Sequence, residues 1–260
     1  MEDKENNMKN VHPLAEPFFI PGNSQQVLLF LHGFTASPSE VRSVAEKLNK
    51  INNCSVSGIL LPGHGTTPEQ LNNVRWPEWY KEVEDELKLL LNKYQQVFVG
   101  GLSMGGLLAL HAGVNIDGLA GVISINAPIF YRHLLLLAYA NAISPIKPYY
   151  PKKISTDLKD LEKQGRFAYR LMPMKAFHSL DHLRKIVIKE LQGIKAPALI
   201  IQSLLDESVH PRSGDFLYAK TRINGAKLIM LPQAKHIATM GIKNEIIARE
   251  MAQFIEVQGS

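Results

Sequence analysis

The chain has 260 residues, 45% hydrophobic and 20% charged, which suits a soluble globular protein of one domain with an insertion, or two small domains. Its single cysteine, Cys54, excludes an intramolecular disulfide framework and a cysteine-based zinc site. The net charge of +5 is uneven: Lys147 to Lys195 holds 12 Lys/Arg against 5 Asp/Glu, while nothing resembles a nucleic-acid-binding module.

The first residues, Met1 to Asn7, have neither an apolar stretch nor a small-residue cleavage site, so they do not read as a secretory signal. The most apolar run, Leu134 to Ala140, is far shorter than the roughly 20 residues that span a bilayer. Both features point to a cytoplasmic protein. Residues 1–16 are polar and expected to be loosely held.

Gln26 to Leu31 is a continuous apolar run that ends at His32-Gly33, as in a strand covered on both faces. Ser37-Pro38-Ser39-Glu40 has the form of a helix start, with Ser37 as cap and Glu40 completing a capping box. Val41, Val44, Ala45 and Leu48 follow at helical spacing. A second strand is expected over Ser55 to Leu61, ended by Pro62-Gly63-His64-Gly65. Pro77 and Glu78 open the next helix, with Trp79, Val83, Leu87, Leu90 and Leu91 on one face. Further strands are expected at Gln96 to Gly100, Leu119 to Ile125, Pro197 to Gln202 and Lys227 to Leu231. A final helix starts near Lys243.

This alternation of strands and helices implies an α/β fold with a mostly parallel sheet. The exception is the segment from about Ala127 to Ala196, mostly helix-like and too long for a plain connection. It reads as an inserted helical cap: residues 127–196 form the cap, and residues 1–126 with 197–260 form the core. The cap's excess positive charge reads first as a solvated surface, and second as a weak attraction to lipid surfaces or anionic substrates.

Gly101-Leu102-Ser103-Met104-Gly105 matches G-x-S-x-G. Taken alone, the pattern arises by chance in roughly one chain in ten of this length. Its context is more specific. A strand runs into it and an apolar helix, Leu107 to Ala112, leaves it, which is the sharp turn that projects a nucleophilic serine. The Met104 amide then lies at a helix N-terminus and can donate to a developing oxyanion. The Phe34 amide, in the loop after the first strand, is the expected second donor. His32 and His64 are read as loop-orienting residues.

A serine on such an elbow is followed along the chain by its acid and then its histidine. His182, His210 and His236 are the late histidines. His236 lies just beyond the last strand, where a parallel sheet places its site, so it is the expected base. Asp206 follows the preceding strand and is the expected acid, with the adjacent Glu207 as its competitor.

These residues resemble bacterial carboxylesterases of the α/β-hydrolase superfamily, in the branch close to monoacylglycerol lipases. The resemblance rests on Leu31 to Thr35, Pro62 to Gly65, Gly101 to Gly106, Gln202 to Pro211 and Lys235-His236. It implies a Ser103–Asp206–His236 triad, an oxyanion hole from the Phe34 and Met104 amides, a small-molecule ester substrate, and no metal or organic cofactor. The cap, with its leucine-rich run after Tyr131-Arg132-His133, departs most from the family and leaves the acyl group open. A monoacylglycerol lipase, a thioesterase, a C–C hydrolase and a non-catalytic ligand receptor are the alternatives this scaffold allows.

Overall fold

The computed structural model describes residues 11–132, 147–152, 156–221 and 225–258. Its centre is a seven-stranded sheet in the order β1-β3-β2-β4-β5-β8-β9. The strands are β1 (Phe18–Ile20), β2 (Gln26–Leu31), β3 (Ser55–Gly58), β4 (Gln96–Leu102), β5 (Leu119–Ile125), β8 (Ala198–Ser203) and β9 (Lys227–Leu231). All neighbours pair in parallel except β1, which runs antiparallel to β3.

Alternating side chains on the buried strands feed two separate cores. Val27, Leu29, Leu31, Val97 and Val99 face one layer with α3 (Trp76–Leu91), α4 (Met104–Asn115) and α6 (Met174–Glu190). Leu28, Phe30 and Phe98 face the other, with α1 (Ser39–Asn52) and α8 (Asn244–Gln258). Two-sided burial explains why these strands read as unbroken apolar runs. The expected α/β architecture, with a mostly parallel sheet between helices, is what the chain adopts.

Local expectations fared unevenly. Glu40 does not complete a capping box. Pro38 takes the cap position in helical conformation without a side-chain cap bond, and the Glu40 carboxylate turns to the buried Arg166 guanidinium, 2.6 Å away. A buried charge partner outweighs a terminal amide here. β3 stops at Gly58, three residues short of Leu61. A Cβ at Gly58 would lie 2.3 Å from the Phe18 ring, so β1 packs directly against the strand's end. Neither β1 nor α2 (Pro68–Asn73) is evident from the sequence pattern, because each is too short to show a hydrophobic period.

Between β5 and β8 lie β6 (Tyr149–Pro151), α5 (Thr156–Lys163), β7 (Leu171–Pro173) and α6, with β6 and β7 pairing as a separate antiparallel ribbon. Leu180, Leu183 and Val187 of α6 join the same core as Leu107 and Leu108 of α4. The leucine-rich run Leu134 to Leu137, together with Ala138 and Ile143, lies outside the described residues. α7 (Arg212–Thr221) links β8 to β9. Among the described residues, no helix is long and apolar enough to cross a membrane.

Candidate active site

The strand order reverses between β2 and β4, because β3 lies on one side of β2 and β4 on the other. At such a reversal the loops at the carboxyl ends of the strands splay apart and leave a crevice. The ends of β2, β4, β5, β8 and β9 supply, in turn, Gly33-Phe34, Ser103, Asn126, Asp206 and His236.

Ser103 lies between β4 and α4 with φ 57° and ψ −114°. A non-glycine residue pays on the order of 1–3 kcal/mol for such backbone strain. The Ser103 amide is held by the Ile125 carbonyl at 2.8 Å. The flanking glycines are needed for contact as well as for turning. A Cβ on Gly101 would lie 2.3 Å from the Gly105 backbone carbon, and one on Gly105 would lie 2.4 Å from the Leu31 carbonyl oxygen. The first turn of α4 therefore rests directly on the backbone that leads into the Phe34 loop. Gly105→Ala should cost about 1–3 kcal/mol, the usual penalty of overpacking. Urea unfolding checks this, and an unchanged stability would contradict this packing account.

His236 Nε2 lies 3.0 Å from Ser103 Oγ, and its Nδ1 lies 2.7 Å from Asp206 Oδ2. Asp206 is fully buried. Its other oxygen, Oδ1, accepts the amides of Ser208 at 2.8 Å and Val209 at 2.7 Å. Burial acts to lower the His236 pKa, but the Asp206 charge and hydrogen bond, with smaller help from the Glu207 and Glu40 charges, together outweigh it and raise the pKa above the ordinary 6.5. Glu207 does not compete for the ring; its carboxylate accepts the His236 backbone amide at 3.2 Å.

Asn126 is a site residue that the sequence pattern does not mark. It is buried with φ 48°. Its Nδ2 donates to the His236 carbonyl at 2.8 Å and to Ser203 Oγ at 3.0 Å, while its Oδ1 accepts the Ser203 amide at 2.7 Å. It thus ties the histidine loop to the end of β8. An asparagine directly after an apolar strand was the available signal, since Asn tolerates left-handed backbone.

Gly33 packs beside Ser103, where a Cβ would lie 3.6 Å from Ser103 Cβ. Among the described residues, no protein acceptor is bonded to the Phe34 or Met104 amide. His32, fully buried, bridges its loop to the next. Its Nδ1 bonds the Gly33 carbonyl at 2.9 Å, and its Nε2 accepts the Leu61 amide at 3.2 Å. Both bonds suit one neutral tautomer, and burial lowers its pKa to about 4. His64 is buried against the Phe34 and Trp79 rings. Elsewhere, His210 Nδ1 accepts the Arg212 amide, and His182 lies exposed beside Trp76; neither reaches the Ser103 site. Among the described residues, no group of three or more His, Cys, Asp or Glu side chains could hold a metal ion.

A profile of the serine aminopeptidase S33 family matches residues 22–240. The chain is 26% identical to a carboxylesterase of Bacillus subtilis (strain 168) over 255 residues, covering 96% of this chain and 98% of that one. It is 30% identical to a thermostable monoacylglycerol lipase of Bacillus sp. (strain H-257) over 240 residues, covering 92% and 94%. Among solved structures it is similar to a metagenome-derived lipolytic enzyme described with the LipS and LipT pair. That match has a TM-score of 0.85 and 30% identity, and covers 95% of this chain and 99% of that one.

Proposed function

The chain belongs to the serine aminopeptidase S33 family, an α/β hydrolase with carboxylesterase and monoacylglycerol lipase relatives, and from this premise we propose how it cleaves esters. It is a serine ester hydrolase. Ser103 is the nucleophile, His236 the base and Asp206 the acid that orients it. The observation that carries these roles is the unbroken contact chain from Ser103 Oγ through both ring nitrogens of His236 to a buried carboxylate.

His236 takes the Ser103 hydroxyl proton as Oγ attacks the ester carbonyl carbon. Negative charge then develops on the carbonyl oxygen, where the Phe34 and Met104 amides can donate to it. The positive end of α4 adds to the Met104 contribution. Collapse of this intermediate breaks the bond to the alkoxy oxygen, which leaves as the alcohol with the proton from His236. Water then loses a proton to His236 as it attacks the acyl carbon, and the bond from that carbon to Ser103 Oγ breaks as His236 returns the proton to Oγ, which frees the acid and restores the serine.

Residues 127–196 act as the cap that selects the acyl group. Phe177 on α6 packs at a tilt near Phe34, with ring centroids 6.1 Å apart, and near Tyr131 at 5.9 Å. These rings give the site an apolar wall suited to an acyl chain. The basic surface of the same segment makes weak contact with anionic lipid surfaces, and the enzyme works in the cytoplasm.

The test is a series of nitrophenyl esters from two to sixteen acyl carbons, with an aminoacyl nitroanilide as control. Turnover of esters with little hydrolysis of the anilide is expected. Hydrolysis of the anilide alone would overturn the ester assignment. A maximum beyond twelve carbons would place the enzyme with the lipases, and one below eight with the short-chain esterases.

A further inference from the structure

One cation near the site has no part in the chemistry described so far. Lys152, just after β6, is half-buried, and its ammonium donates to Thr35 Oγ1 at 2.7 Å. The Thr35 hydroxyl in turn donates to the Phe34 carbonyl at 2.5 Å. Thr35 itself has φ 64°. Left-handed backbone is an outlier for a β-branched residue, because its branched Cβ crowds the neighbouring carbonyl. Something must hold it there. The carbonyl of Thr35 is also gripped, by the Tyr169 amide at 2.8 Å. Both holds come from the segment between β5 and β8, and the residue they fix directly follows Phe34.

We propose that Lys152 is a positioning residue for the oxyanion hole: it pins Thr35 in its left-handed turn and so aims the Phe34 amide toward Ser103. This inference rests on the Phe34 amide being an oxyanion donor, as in the function proposed above.

The chemistry of the link requires a donor at this position. The single hydroxyl proton of Thr35 is committed to the Phe34 carbonyl, so its oxygen needs a proton from elsewhere once it is removed from water. Glu40 and Arg166 occupy the neighbouring space and satisfy each other at 2.6 Å. Among the described residues, the Lys152 ammonium bonds to the hydroxyl rather than to a carboxylate. Burial, and after it the Arg166 charge, lowers its pKa to about 8, while Glu40 and Glu162 pull the other way. A charged ammonium is therefore costly at this position. The link also ties the end of the β6 region to the loop that carries Phe34.

A double-mutant cycle tests this, with kcat and KM measured on a short-chain nitrophenyl ester. Lys152→Met should lower kcat by about tenfold or more, since an oxyanion donor is used in the transition state, and should change KM by less than about twofold. Lys152→Gln, which keeps an N–H donor, should recover most of the loss. Thr35→Val breaks the same link from the other side and should reproduce it; this variant decides the matter if Lys152→Met does not fold. The Thr35→Gly background separates geometry from charge, because glycine takes a positive φ unaided. There, Lys152→Met should cost less than about threefold. Equal losses in both backgrounds would mean that Lys152 acts by charge alone and would overturn the proposal, as would parent-like kcat in Lys152→Met or in Thr35→Val. A parent protein without ester turnover would instead refute the function reading.

Discussion

Ser103→Ala should lower kcat for a short-chain nitrophenyl ester by on the order of 10⁶, the scale seen when a serine hydrolase loses its nucleophile. The proton acceptor at 3.0 Å and the carboxylate behind it would remain, but with no oxygen to activate they have little to do. What survives should be the contribution of the Phe34 and Met104 amides and of substrate binding. The fold should be unaffected, because alanine keeps the backbone constraints of serine. Ser103→Gly should be equally inactive but more stable. Glycine pays no steric penalty at φ 57°, although its looser unfolded chain takes back about 0.5–1 kcal/mol. The net gain should be about 1 kcal/mol, or roughly 2–4 °C in Tm. Activity of Ser103→Ala near the parent rate would remove Ser103 from the mechanism. A Ser103→Gly variant no more stable than Ser103→Ala would show that the elbow stores no strain.

The legibility of this site in the sequence follows the range of the interactions. The elbow is local: strand, glycines, serine and helix are adjacent in the chain, and each reports on the same tight turn. Asp206 and His236 are local in a weaker sense, since each lies just after an apolar strand of the sheet, and chain order pairs them. Where a partner sits far along the chain, local signals mislead. Glu40 has the spacing of a capping-box residue, yet it pairs with Arg166, 126 residues away. Asn126 shows locally only that it suits left-handed backbone; its grip on the His236 carbonyl, 110 residues on, leaves no local mark. Thr35 likewise depends on Lys152, 117 residues later. Nothing in the spacing of those pairs distinguishes them from any other pair of polar residues.

Asp206→Asn should lower kcat by about 10⁴, roughly a hundredfold less than loss of the nucleophile, with little loss of stability beyond a weakened hydrogen bond. The reason lies in the two backbone amides behind the carboxylate. Ser208 and Val209 both donate to Oδ1, so an asparagine at this position turns its carbonyl oxygen toward them and its amide NH₂ toward His236. The NH₂ group can only donate. It therefore selects the tautomer whose Nδ1 accepts, which places the proton on Nε2, facing Ser103. The base then has no lone pair where the hydroxyl proton must go. The pH profile should shift as well. In the parent, the Asp206 charge and hydrogen bond raise the His236 pKa above 6.5 against the effect of burial. Because catalysis needs the neutral ring, the acid limb of kcat/KM should lie above that value. With Asp206 uncharged, the largest effect opposing burial is lost and only the Glu207 and Glu40 charges still oppose it, so the limb of the residual activity should move to lower pH. An acid limb that stays in place would mean that another group sets it. Asp206→Asn activity within about tenfold of the parent would mean that the ring is oriented by something other than this carboxylate.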